Sequence, residues 1–274
     1  MTATDDEFTR FEHEGWQRVA DKYDSVWAQS TRQFIPSLLD AAEVSARMSV
    51  LDIGSGPGYV AGAVKQRGAV PTGLDFSNQM VLIAQNIFPG IEFREGDAQT
   101  LPFADESFDR VVANFALLHL SDPGRACAEA CRVLKPRGRF GFTVWAEAAD
   151  NPYAQLIDDA INAHADLNVK LSSGPPYYLY KTKKHFRQAM ERAGFDGTSM
   201  THAIHRIEWI VPTPSYPFEA ELNAGVRTAG FLAAQPADRL RAIRSAIEEK
   251  VKQYAKGDYY AIPKAAYIIA VTKV

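Results

Sequence analysis

Apolar residues recur at roughly helical spacing over residues 8–30, at Phe8, Phe11, Trp16, Val19, Ala20, Tyr23 and Trp27. This predicts a helix with one face packed against the rest of the molecule. Pro36 is placed to open a second helix through Leu38, Leu39 and Ala42. The pattern then changes. Met48 to Ile53 is a short apolar run that ends in Gly54-Ser55-Gly56-Pro57-Gly58, a strand entering a tight glycine turn. A helix follows over 59–67. Val70 to Leu74 predicts a second strand closed by Asp75, and Ser77 stands as N-cap of a helix with Met80, Val81, Ile83, Ala84 and Ile87 inward. Ile91 to Arg94 is a third strand closed by Gly96-Asp97, and Phe108 to Asn114 a fourth. Asp122-Pro123 opens a helix through Leu134, Lys135-Pro136-Arg137-Gly138 ends it, and Arg139 to Trp145 is a fifth strand. Strands alternating with helices in this way predict an α/β fold: a doubly wound, mostly parallel sheet with helices on both faces.

Beyond Ala146 the alternation stops. Helices are expected over 153–164 and 182–194 (Gly194 as the stop), a strand over 198–211, two helices over 218–255 broken near Gln235-Pro236, and a strand from Ala265 to Thr272. A helical insert between two strands is expected to fold back over one end of the sheet. The chain thus divides into an N-terminal helical cap (1–47), a Rossmann-like core (48–146), and a segment of lid helices and last strands (147–274).

Composition narrows the function. The net charge is −3, so no broad basic field invites nucleic acid. No apolar run reaches the roughly 18 residues of a membrane span, and the polar, acidic N-terminus does not read as a secretory signal. The two cysteines, Cys127 and Cys131, are four residues apart, as two small apolar residues of a buried helix face would be. A cytoplasmic protein without a metal site, monomer or homodimer, is expected.

Ligands of open α/β sheets bind outside the carboxyl ends of the strands. Here Gly54, Gly56 and Gly58 follow the first strand, with Ser55 among them. Asp75 follows the second, Asp97 the third, and Asn114 and Phe115 the fourth. Glycines admit close backbone approach, and the helix behind them presents free N–H groups. A carboxylate at Asp75 suits two ribose hydroxyls. Asp97 and the Ala98 N–H suit an adenine edge, and Phe76 and Met80 its faces. Tyr59 stands where a dinucleotide fingerprint has its third glycine, and no phosphate-binding G-x-x-x-x-G-K-[ST] loop occurs. Adenine and ribose without phosphate fit better.

The run Leu51-Asp52-Ile53-Gly54-Ser55-Gly56-Pro57-Gly58 resembles the first motif of class I S-adenosylmethionine-dependent methyltransferases, and Gly73-Leu74-Asp75-Phe76-Ser77 their acidic second motif. Gly96-Asp97-Ala98 with Leu101-Pro102-Phe103, then Leu118-His119-Leu120 and Val133-Leu134-Lys135-Pro136-Arg137-Gly138-Arg139, are similar to the subgroup typified by ubiquinone and menaquinone biosynthesis methyltransferases. Ala20-Asp21-Lys22-Tyr23-Asp24 resembles that subgroup's cofactor-covering helix. The resemblance spans about residues 16–146. It implies a seven-stranded sheet with the last strand antiparallel, S-adenosylmethionine as cofactor and S-adenosylhomocysteine as product. It also implies Tyr23 closing over the methionine end. Where the subgroup often has two consecutive histidines, only His119 remains, after Leu118.

Methyl transfer from a sulfonium demands alignment, and a base only if the acceptor must lose a proton. His119 is the candidate base; alternatively it caps its loop through Ser121 or Asp122. One of His202 and His205, at odd spacing on a strand, is a second candidate for facing the pocket. Trp16, Phe115, His119, Tyr177 and Tyr178 are the candidate substrate contacts, the tyrosines within an aromatic stretch ending at Tyr180. A small aromatic or lipophilic acceptor, methylated at oxygen, nitrogen or carbon, fits an acidic protein with aromatic loops. The other readings are a nicotinamide-dependent oxidoreductase, opposed by Tyr59, and a non-catalytic nucleoside-binding protein.

Overall fold

Five strands carry the apolar runs of the first half: β1 (Ser49–Ile53), β2 (Val70–Asp75), β3 (Glu92–Glu95), β4 (Phe108–Asn114) and β5 (Leu134–Trp145). In this computed structural model they pair in parallel in the order β3-β2-β1-β4-β5. The described residues are 7–169, 171, 172, 174–179 and 182–274, so the first six residues and Tyr180 lie outside them. β8 (Tyr259–Lys273) runs antiparallel between β5 and β6 (Phe195–Val211), and the two-residue β7 (Ala255–Lys256) pairs with its start. The sheet is the expected mostly parallel, doubly wound one with an antiparallel last strand.

Strand alternation sends successive side chains to opposite layers. Val50 and Val112 point to α3 (Ile35–Ala41) and α4 (Tyr59–Gln66), where they meet Leu38, Leu39, Val60 and Val64. Leu51, Val111, Phe140 and Phe142 point the other way, toward α6 (Pro123–Val133) and α8 (Lys183–Arg192), among Cys127, Phe186 and Met190. Both cysteines are buried free thiols, and burial pushes Cys127 up to about 12. The expected caps are present: Ser77 Oγ accepts from the Met80 N–H at the start of α5 (Asn78–Ile87), and the Asp122 carboxylate accepts from Arg125 N–H.

Several boundaries differ from expectation. Ile87, expected inward, is exposed, because α5 buries Met80, Val81 and Ala84 and ends as the chain turns. The N-terminal helix is α1 (Glu7–Tyr23), which passes through a π turn (Asp24–Ala28), α2 (Gln29–Thr31) and a 3₁₀ turn (Arg32–Phe34) into α3. Residues 218–255 were expected to form two helices. Three form, α9 (Tyr216–Ala224), α10 (Arg227–Ala233) and α11 (Ala237–Val251), because Gly225 adds a break before the expected one at Pro236.

The last two strands overshoot the sheet. Trp145, the end of β5, pairs with Ala266, while β6 and β8 stay paired from Arg206↔Ala265 out to Val211↔Tyr260. The projecting ribbon is apolar on one face. Trp209 and Ile262 pack there with Trp27, with Tyr153 and Ile157 of α7 (Pro152–His164), and with Phe218, Ile243 and Ile247. This second core carries the lid helices over the carboxyl edge of the sheet. No helix among the described residues is long and apolar enough to cross a membrane.

Candidate functional site

A cavity of about 470 Å³ runs along the carboxyl edge of the sheet. Its floor is supplied strand by strand: Gly54 and Gly56 after β1, Asp75 and Phe76 at β2, Gly96 and Ala98 after β3, Asn114 and Phe115 at β4, Trp145 ending β5, and Lys264 on β8. Trp16, Tyr23, Trp27 and Thr31 close it from the N-terminal segment. Tyr153, Ile157, Glu221, Arg227 and Phe231 close it from the lid.

At the β1–β2 end the backbone is shaped around empty space. Gly54 and Gly56 have φ of +64° and +50°. A Cβ on Gly54 would lie 2.4 Å from the Ala116 Cβ, whereas one on Gly56 would meet nothing within 4 Å. Asp75 accepts the Gly56 N–H (2.8 Å) and the Ser77 N–H (2.9 Å), one on each oxygen. Burial raises its carboxyl above the usual range, and these two donors oppose the rise. Asp52, on β1 itself, accepts the Ala61 N–H of α4 and is raised well above the carboxylate range by burial.

The roof is α1. Gln17 Oε1 accepts from Ser77 Oγ (2.6 Å) and the Gln79 N–H (3.0 Å), tying the helix over the Asp75 turn. Glu12, fully buried, accepts from Trp16 Nε1 (3.1 Å) and pairs with His119 Nδ1 (3.0 Å) through the same oxygen, Oε2. Its Oε1 has no hydrogen-bond partner and lies 3.9 Å from Arg227 Nε. The Trp16 ring meets the His119 imidazole edge-on at 4.8 Å. His119 is therefore oriented by a carboxylate from a distant helix rather than by the expected cap to Ser121 or Asp122. Tyr23 Oη bonds Thr31 Oγ1 (3.1 Å), and burial pushes the phenol up to about 12.

The β5–β8 end is aromatic. Phe115, left-handed at φ +58°, stacks on Trp145 at 4.0 Å. A bulky residue at positive φ is sterically costly and marks a place where structure is imposed. Lys264, 1% exposed, holds its Nζ 4.3 to 4.7 Å from the ring centroids of Trp27, Trp145, Tyr153 and Trp209. Glu221 accepts from Tyr153 Oη at 2.7 Å on the same cavity.

Of the residues singled out from sequence, Trp16, Tyr23, Gly54, Gly56, Asp75, Phe76, Met80, Ala98, Asn114, Phe115, His119, Tyr177 and Tyr178 line this one cavity. Ser55 lies beneath the turn with its Oγ buried, and Asp97 holds the N–H and side-chain amide of Gln99; neither is in the lining. His202 and His205 do point to opposite faces, but neither reaches the cavity. His202 packs on Phe186 and Tyr267, and His205 bonds Ser37 Oγ. Tyr59 stays out of the cavity lining, its hydroxyl on Asp24, its ring under Arg32 and its side chain packed on the layer that holds Val50 and Val112. No local pattern in the sequence marks Glu12, Glu221 or Arg227 as site residues. Only Lys264 carries a signal there, a lone cation in the apolar run from Ala261 to Val271.

Residues 51–142 match the methyltransferase domain family. The chain is 31% identical over 214 residues to a demethylmenaquinone methyltransferase of Paenarthrobacter aurescens, covering 69% of this chain and 83% of that protein. The YcgJ protein of Bacillus subtilis superposes with a TM-score of 0.57 at 20% identity, over 88% of this chain and 98% of that one. A Haemonchus contortus enzyme solved with phosphomonomethylethanolamine and S-adenosylhomocysteine superposes with a TM-score of 0.55 at 18% identity, over 97% of this chain and 60% of that one.

Proposed function

Because the chain belongs to the class I S-adenosylmethionine-dependent methyltransferases, we propose that the β1–β2 end of the cavity holds that cofactor and the β5–β8 end a small, flat, apolar acceptor. The observation that carries this reading is the continuity of one cavity from the glycine turn and Asp75 to a wall of Trp27, Trp145 and Tyr153. The cofactor half fits its ligand: Gly56 leaves room where any side chain would intrude, Asp75 offers carboxylate oxygens beside that room, and Phe76, Met80 and Ala98 offer an apolar slot for adenine.

The cofactor supplies a methyl group on a positively charged sulfur. The protein's own contribution is alignment and exclusion of water. Tyr23 and Trp16 roof the transfer point, and the lid helices seal the acceptor side. Polar groups that line the acceptor half, such as Glu221 and Arg227, fix orientation within a mostly apolar wall. His119 has Nδ1 committed to Glu12, so Nε2 is the atom left to meet an acceptor. This orientation by a buried carboxylate supports His119 as the base or hydrogen-bond partner beside the transfer point. The name of the Paenarthrobacter relative favours an acceptor of quinone type, which is flat and apolar as the wall requires. Calorimetric titration with S-adenosylhomocysteine, with NADH in parallel, tests the cofactor half: micromolar binding of the first alone is expected, and binding of NADH alone would overturn the assignment. Turnover on a panel of naphthols, hydroquinones and catechols then tests the acceptor half.

A further inference from the structure

Lys264 is out of place for a structural residue. Charged side chains are almost never fully buried unless paired, and Lys264 is buried to 1% exposure on β8 with a single hydrogen-bond partner among the described residues, Ser30 Oγ at 3.5 Å. It is not an orphan of the core, because it lines the cavity, at the point where β8 passes the end of β5. Four rings surround its Nζ, and three of them (Trp27, Trp145 and Tyr153) line the same cavity. Ring faces stabilise the ammonium, while loss of hydration stabilises the amine. Such a site holds a lysine able to change protonation state without changing place.

Resting on the methyltransferase reading, we propose that Lys264 is a catalytic residue that takes the proton of an ionisable hydroxyl on the acceptor, a phenol or an enol, and pairs with the oxyanion so formed, with His119 then the acceptor's hydrogen-bond partner. In that step the acceptor O–H bond breaks, an Nζ–H bond forms, and the electron pair stays on the acceptor oxygen. The oxygen, and by conjugation the ring carbon beside it, becomes the stronger nucleophile toward the electrophilic methyl. The added proton remains on Nζ within the ring cage and leaves to solvent when product leaves.

The surroundings agree with this role. Desolvation, partly opposed by the Glu221 carboxyl of α9, brings Lys264 down to about 7, near the operating pH at which a general base is most effective. Burial in turn raises the Glu221 carboxyl above the carboxylate range. The other ionisable groups lining this end of the cavity are Tyr153 and Asp158 of α7, Tyr177, Tyr178 and Arg227, and a second pocket that Lys264 borders carries Asp150, Asp159, Arg206, Glu249, Lys250 and Tyr254. Tyr153 donates to Glu221, and Tyr178 donates to Asp158 at 3.2 Å, so both carboxyls already hold a tyrosine hydroxyl.

The test reads protonation of a bound ligand directly. 3-Nitrophenol and the larger 2-naphthol are titrated into the protein, with and without S-adenosylhomocysteine, at a pH just above the lysine's own value of about 7, where the amine is mostly neutral and each free phenol still holds its proton. Nitrobenzene serves as the ligand without a proton. Wild type is expected to convert at least one of the phenols to its phenolate on binding. Lys264→Met should bind nitrobenzene as wild type does, bind that phenol about tenfold or more weakly, and show no phenolate band, having lost a charge-assisted contact. Replacing a buried charge by a hydrophobe of similar volume is commonly tolerated, and Lys264→Arg provides a second variant, which should bind the phenolate but take up no proton. Phenol bound in neutral form by wild type, equal phenolate signals in wild type and Lys264→Met, or no phenol binding by wild type would each overturn the proposal. S-adenosylhomocysteine binding, measured on the same preparations, reports on the cofactor assignment alone. Its failure in wild type is distinguishable from failure of the phenolate signal.

Discussion

Gly56→Ala separates the cost of backbone strain from the cost of filling the cofactor's place. The residue sits at φ +50°, and an added Cβ meets no protein atom within 4 Å. Folding therefore suffers only the left-handed penalty of an L-residue, about 1–2 kcal/mol. The less flexible unfolded chain returns about 0.4–1 kcal/mol of it. A net loss near 1 kcal/mol corresponds to a fall of roughly 2–4 °C in Tm for a chain of this size. Binding should suffer more. The methyl projects into space assigned to the ligand, and overpacking costs about 1–3 kcal/mol, a roughly 5- to 150-fold loss of affinity for S-adenosylhomocysteine. Gly54→Ala is the contrast. Its Cβ would lie 2.4 Å from Ala116, so its larger defect should be in Tm. Calorimetry and thermal melts on both variants decide the matter. Gly56→Ala protein that melts as expected yet binds within about threefold of wild type would refute the placement of the ligand against the glycine turn.

Asp75→Ala should weaken S-adenosylhomocysteine by about 2–4 kcal/mol in calorimetry, through lost ribose contacts and the freed Gly56 and Ser77 N–H groups; an unchanged affinity would remove Asp75 from the site. His119→Ala should leave that affinity nearly intact and lower kcat by about 10²- to 10⁴-fold if Nε2 acts as the base; unchanged turnover would leave it a structural partner of Glu12. Lys264 is held below its ordinary 10.5, so the unfolded chain binds the extra proton between about 7 and 10.5. Its contribution is present above that window and lost as pH falls through it. The Tm of wild type measured against Lys264→Met should therefore rise with pH across this range, and a flat difference would show that the lysine stays charged in the folded protein.

The parallel half of the fold was legible because its signals are local. Ser77 and Asp122 cap the helices they precede, and the runs from Val50 to Ile53 and from Val111 to Ala113 are buried on both faces, as a central parallel strand requires. The glycine turn and Asp75 were legible because a strand–turn–helix unit fixes their positions. The lid was read less well, since the break at Gly225 has no proline to announce it and neighbouring helices decide where such a segment bends. The long-range partners were not legible at all. Glu12 reaches His119 across 107 positions, and Trp27 stacks on Trp209. Nothing at residue 12 distinguishes it from the other acids of α1. The cage around Lys264 is assembled from four separate elements, so only the anomaly of a lysine in an apolar strand was visible, and not its company.

The position of α1 has a consequence for the order of events. One helix holds the Asp75 turn through Gln17, the post-β4 loop through Glu12 and His119, and the lid through Arg227 and the close seat of Gly15 on Val226. It is the shared hinge pin of three walls. An occupant that settles it by filling the floor also fixes the wall that the second occupant will meet, and such coupling is reciprocal by thermodynamic necessity. Whatever binds first prepares the room for the other, and whichever leaves first loosens its neighbour.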